Sequence, residues 1–148
     1  MYKHILIATD GSELATRAVA HGVTLAKEQK SQVTIVTVTE RWSAFDLGRE
    51  SRQGNLHPLE QYEEKAAATA NAVLDEASRI AASQDVPCNL AYVPDQSPAE
   101  GILATATEKG CDLIVLATHG RRGLDRILIG SRANEVLTYS KVPVLVVR

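Results

Sequence analysis

Five short runs of uncharged, mostly apolar residues recur along the chain, and a stretch with helical spacing follows each of the first four. The runs are Ile5-Leu6-Ile7-Ala8, Val33 to Val38, Cys88 to Val93, Leu113 to Ala117 and Val142 to Val147. Continuous apolar runs of this length, several rich in β-branched side chains, read as strands covered on both faces. Strands alternating with helices build a parallel sheet, because each parallel pair needs a crossover and the crossover helix covers a face. Right-handed crossovers leave few topologies. The expected fold is α/β, a single doubly wound five-stranded parallel sheet with helices on both faces. The first strand should lie in the interior with a switch point beside it.

The connecting segments carry their own signals. After the first strand, Leu14, Ala15, Ala18, Val19, Gly22, Leu25 and Ala26 form one helical stripe, with Ser12 placed as its N-cap. Arg41 to His57 has no period and reads as a long loop, anchored by one aromatic of the pair Trp42 and Phe45. A long helix begins at Pro58, with Tyr62, Ala66, Ala70, Val73, Ala77 and Ile80 along one face. Ser97-Pro98-Ala99-Glu100 has the form of a capping box with proline at the first helical position, and Gly110 should end that helix. A last helix starts near Ser131.

With 148 residues, the chain is expected to form one domain over 1–148. A formal net charge of −2 with 23% charged residues gives no strong field of either sign, so nucleic-acid and anionic-membrane binding are not expected. No apolar run approaches the roughly 20 residues of a membrane span, and Met1-Tyr2-Lys3-His4 leads straight into the first strand without a signal-peptide pattern. The expected compartment is the cytoplasm. Cys88 and Cys111 open the third and fourth strands and are expected to be free thiols; the chain has no metal-ligand spacing.

Ligands of such sheets bind beyond the carboxyl ends of the strands. That directs attention to Thr9-Asp10-Gly11-Ser12, to Val38-Thr39-Glu40 and to the stretch from Ala117 to Ser131. In the last, Gly120, Gly123 and Gly130 allow close backbone approach to an anion. Gly130-Ser131 opens a helix whose first amides and dipole favour negative charge. Arg121, Arg122 and Arg132 add positive charge nearby. Phosphate binding and plain turn-and-cap chemistry both fit these residues. The Walker and dinucleotide glycine motifs are absent. His119 is expected to bond within its own loop rather than to act as a base, and Asp10 could contact a ligand or close an Asx turn.

Ile5 to Ser12 resembles the opening strand and aspartate of the universal stress protein family, and Pro143 to Val147 resembles its closing strand. The ATP-binding branch carries G-x2-G-x9-G-[ST]. Gly120, nine intervening residues, Gly130 and Ser131 match it, whereas position 117 is alanine. The resemblance implies a Rossmann-like, adenine nucleotide alpha hydrolase-like sheet in the order 3-2-1-4-5. It implies that Asp10 meets the adenosine, that Ala8, Val38, Leu116 and Ala117 line the adenine pocket, and that Gly120, Gly130, Ser131 and Arg132 hold phosphates. ATP would carry Mg or Mn on its phosphates. No catalytic residue is implied, and hydrolysis would at most be slow. A homodimer through the fifth strand, Val142 to Val147, is also implied and agrees with a short apolar edge strand bearing Pro143. The reading is a cytoplasmic stress-response regulator that binds ATP; the alternative is a dimeric interaction protein of the same fold that binds no nucleotide.

Overall fold

A computed structural model describes residues 1–119 and 129–148. The elements are β1 His4–Ala8, α1 Glu13–Gln29, β2 Gln32–Val38, α2 Ala44–Arg52, α3 Pro58–Ser83, β3 Asn89–Val93, α4 Pro98–Lys109, β4 Leu113–Ala117, α5 Ser131–Tyr139 and β5 Val144–Val147. The strands form one parallel sheet with β1 in its interior, as the sequence led us to expect, in the order β3-β2-β1-β4-β5 that the family resemblance implies.

Alternation along β1 shows how the sheet is covered. Ile5 and Ile7 join Val33, Ile35, Leu113 and Val115 on one face, under Ala18, Val19 and Val23 of α1 and Leu74, Ala77 and Ala81 of α3. Leu6 and Ala8 join Val36, Ile114 and Leu116 on the other, under Ala99, Ile102 and Ala106 of α4 and Ala133 and Val136 of α5. The interior strands β1 and β4 must therefore be apolar at successive positions, which is why their runs lack a polar alternation. Small residues bring the helices close. A Cβ on Gly22 would stand 2.7 Å from Ile7 Cδ1, and one on Gly101 would stand 2.8 Å from Val38 Cγ2.

Asp112 ties the start of β1 to the start of β4 by accepting from the amides of Lys3 (2.8 Å) and His4 (3.0 Å). Burial pushes its carboxyl upward, but those amides and its own, helped by the charge of His4, outweigh it and hold the group below the ordinary aspartate value. Both cysteines are free thiols, as expected. Burial, reinforced by the charge of Asp112, raises Cys111 to about 11, and burial raises Cys88 as well.

Two expectations are corrected. The segment 41–57 is not simply a loop, for it contains α2. Ser43 caps that helix by accepting from the Asp46 amide at 3.1 Å, and Arg49 pairs with Asp46 at 3.8 Å. No residue of α2 is buried, so no apolar period marks it. Trp42 does anchor the segment, stacked on Tyr62 with ring centroids 4.9 Å apart, while Phe45 is exposed. The capping box at Ser97 does not close: Ser97 has the extended N-cap backbone and α4 starts at Pro98, but the serine side chain makes no capping bond. Gly110 ends α4 in the left-handed region at φ 66°, as expected.

Candidate functional site

The carboxyl ends of β1, β2 and β4 open into a cavity of about 400 Å³. Its floor is apolar and comes from the second face of the sheet: Ala8, Val36, Val38 and Leu116, with Ile102 of α4 beside them. Ala8 and Val36 are register partners across β1 and β2, so they arrive side by side. The first turns of α1, α4 and α5 close the rim through Ala15, Pro98 and Ser131 to Ala133. Three helix N-termini thus meet at one opening, and each turns the positive end of its dipole toward it.

The rim is built by local hydrogen bonding. The Thr9 amide donates to the Val36 carbonyl at 3.0 Å and extends the β1–β2 ladder by a step. Gly11 then turns the chain at φ 80°, a backbone that favours glycine. The Ser12 amide donates to Asp10 Oδ1 at 2.9 Å, and Ser12 Oγ caps α1 by accepting from the Ala15 amide at 3.2 Å. Asp10 therefore does close an Asx turn, and it lines the cavity at the same time.

At α5 the N-cap is Gly130, which has no side chain with which to cap. Its φ of −60° is open to any residue. Glycine is required there because a Cβ would lie 2.6 Å from the Thr118 carbonyl oxygen, to which the Gly130 amide donates at 2.7 Å. The glycine lets the protein's own backbone approach, a constraint that acts whether or not an anion binds beside it. Ser131 and Arg132 follow at the rim, and His119 Nδ1 lies 3.2 Å from Thr118 Oγ1, within its own loop as expected.

Eight of the nine positions singled out in the sequence line this one cavity: Ala8, Asp10, Val38, Leu116, Ala117, Gly130, Ser131 and Arg132. The ninth, Gly120, lies outside the described residues, as do Arg121, Arg122 and Gly123. Ala117 is not among the residues with positive φ and packs with the α1-side core, so its methyl sits in ordinary strand backbone. The sequence reading missed Val36 and Ile102. Val36 is two residues before Val38 on the same strand face, and Ile102 is one helical turn after Pro98, so the periods of strand and helix would have found both.

Glu40 lies just beyond β2 and lines the cavity as well. Its carboxylate pairs with Arg132, Oε1 to Nη2, at 2.7 Å. The pair stands where the first cavity meets a second, of about 530 Å³, that runs between β2 and α3 past Tyr62, Lys65 and Thr69. The Tyr62 hydroxyl donates to the Glu40 carbonyl at 2.6 Å. Burial, then the charge of Glu40 and the neighbouring Tyr92 and Asp95, raises Tyr62 above its ordinary value, so it remains a donor.

The universal stress protein family model matches residues 1–148. A universal stress protein of Methanocaldococcus jannaschii is 32% identical over 148 residues, covering all of this chain and 83% of the relative. The universal stress protein YxiE of Bacillus subtilis is 32% identical over 158 residues, covering the whole of both chains. This chain belongs to the universal stress protein family. Among solved structures, a universal stress protein in complex with cAMP superposes with a TM-score of 0.73 at 24% identity, covering 99% of this chain and 97% of that one. The Archaeoglobus fulgidus universal stress protein in complex with dAMP gives 0.70 at 19% identity, covering 99% and 98%. These two likenesses establish the universal stress protein fold. Among the described residues no helix is long and apolar enough to cross a membrane.

Proposed function

We propose that this chain, as a single domain over 1–148, binds an adenine nucleotide in the cavity at the ends of β1, β2 and β4, with ATP among its ligands. The observation that carries the reading is the convergence of eight residues from four separate segments on one cavity of about 400 Å³. That volume suits a small ligand, and its mix of an apolar floor with a few polar rim groups is the usual make-up of a ligand site. The base would lie on Ala8, Val36, Val38 and Leu116. Asp10 would accept from ribose hydroxyls. The uncapped first turn of α5, with Ser131 and Arg132, would take phosphate. The cAMP and dAMP held by solved family members support an adenine ligand.

Among the described residues no group of three metal-ligating side chains occurs. Mg²⁺ or Mn²⁺ would therefore reach the site on phosphate oxygens and water. The biological role that follows is nucleotide-dependent regulation in a stress response. Homodimerisation belongs to the same reading. β5 is an edge strand whose Pro143 and Val147 carbonyls accept from the amides of Ile114 and Thr118, so the amides of Val144 and Val146 face the open side. Sedimentation should give a dimer that Val146→Lys dissociates; a monomeric wild type would remove that part.

Titration calorimetry of ATP, ADP, AMP and adenosine, with and without Mg²⁺, tests the ligand. Val38→Trp, which fills the floor, is the matched variant, with a thermal melt as its folding control. Binding by wild type and its loss in a folded Val38→Trp is expected. No heat with any adenine compound at millimolar concentration would leave the non-nucleotide interaction protein as the reading.

A further inference from the structure

Arg132 is the one arginine or lysine among the described residues that line the first cavity, and it is already engaged. Glu40 reaches it from beyond the end of β2, 92 residues away in sequence, at 2.7 Å. The pair is about half exposed, with 43% of the arginine side chain and 49% of the glutamate side chain accessible. An ion pair so exposed is weak in net terms, because water screens it and two long side chains must be held in one geometry. It is also available to a competitor. A phosphate entering at the first turn of α5 would need the same guanidinium, and a phosphate offers more charge and more acceptor oxygens than one carboxylate.

We propose that Glu40 competes with the ligand's phosphate for Arg132, and so sets how strongly the site prefers a phosphorylated nucleoside over the bare nucleoside. This rests on the nucleotide reading above and goes beyond it, since the residue acts against the ligand. Each phosphate that binds must draw Arg132 from Glu40, whereas adenosine leaves the pair intact. Removing the carboxylate charge while keeping the side-chain shape frees the guanidinium beforehand.

The test is titration calorimetry of AMP, adenosine and inorganic pyrophosphate against four proteins: wild type, Glu40→Gln, Arg132→Gln and the double variant, each checked by thermal melt. Glu40→Gln should tighten AMP by about two- to fivefold, the worth of an exposed ion pair, with adenosine changed far less. The gain should shrink as salt is raised. It should vanish in the Arg132→Gln background, because the competition runs through that side chain. Equal loss of AMP and adenosine in Glu40→Gln would overturn the proposal by making Glu40 a nucleoside contact. A gain that persists without Arg132 would overturn it by making the effect direct repulsion. If neither adenosine nor AMP binds wild type or Glu40→Gln, the nucleotide reading is lost. A pyrophosphate gain in Glu40→Gln that depends on Arg132 would still support the competition, and pyrophosphate binding equally to wild type and Glu40→Gln, or to none of the four proteins, would overturn it as well.

Discussion

Gly130→Ala isolates a contact that joins the fold to the site. The backbone at 130 is already in a conformation that alanine adopts freely, so no dihedral strain enters. The added methyl would sit 2.6 Å from the Thr118 carbonyl oxygen and 3.6 Å from His119 Cα. The first contact is with backbone and cannot be relieved by a rotamer change. The start of α5 and the end of β4 must separate by at least several tenths of an ångström, which lengthens the 2.7 Å bond from the Gly130 amide to the same oxygen. Overpacking of this kind costs about 1–3 kcal/mol, and a weakened backbone bond adds up to about 1 kcal/mol. The melting temperature should fall by roughly 2–16 °C at about 2–4 °C per kcal/mol. Because Ser131 to Ala133 line the cavity, nucleotide affinity should fall with it. Gly48→Ala is the control. Its Cβ would meet only Arg52 Nη2, at an ordinary 3.6 Å, in the middle of an exposed helix, so it should raise stability by about 0.5–1 kcal/mol. Differential scanning calorimetry reads both. A Gly130→Ala protein that melts with wild type and binds nucleotide equally well would refute the claim that glycine is required there by Thr118.

Three further outcomes are expected. Gly101→Ala should push Val38, since its Cβ would stand 2.8 Å from Val38 Cγ2, and should weaken nucleotide binding by deforming the cavity floor; calorimetric titration of the folded variant checks it. Iodoacetamide at pH 8 should label Cys111 far more slowly than the urea-unfolded chain does, because the thiol is buried and raised to about 11, with half-buried Cys88 labelled first in a mass spectrum. Asp112→Asn should lower stability by about 1 kcal/mol at pH 7. The folded carboxyl lies below the ordinary aspartate value, so its contribution is present above about pH 4 and is lost as pH falls through the folded value; urea melts at pH 7 and pH 3 should show the difference between wild type and variant shrink.

What the sequence made legible follows from what leaves a periodic trace. β1 could be read because Ile5 to Ala8 must satisfy two cores at once, and α1 because its stripe from Ala15 to Ala26 meets Ile7 and Val115. α2 left no trace because it buries nothing, and only the Ser43–Asp46 cap marked it. Most site positions were legible from the strand ends and the Gly130-Ser131 turn. The reason for Gly130 was not, because the oxygen that demands it belongs to Thr118, brought close only by the fold. The Glu40–Arg132 pair was hidden for the same reason: neither residue's neighbours in sequence announce a partner 92 positions away.

The most direct test of the nucleotide site is an amide ¹H–¹⁵N shift map of the isotope-labelled protein during titration with AMP and with Mg²⁺-ATP. Saturable shifts should concentrate in Ala8 to Ser12, Val38 to Glu40, Leu116 to His119 and Gly130 to Ala133, the segments that meet at the cavity. Saturable shifts centred instead on the separate hollow between α4 and α5, near Leu103, Cys111 and Lys141, or no shifts at millimolar nucleotide, would contradict an adenine-nucleotide site at the ends of β1, β2 and β4.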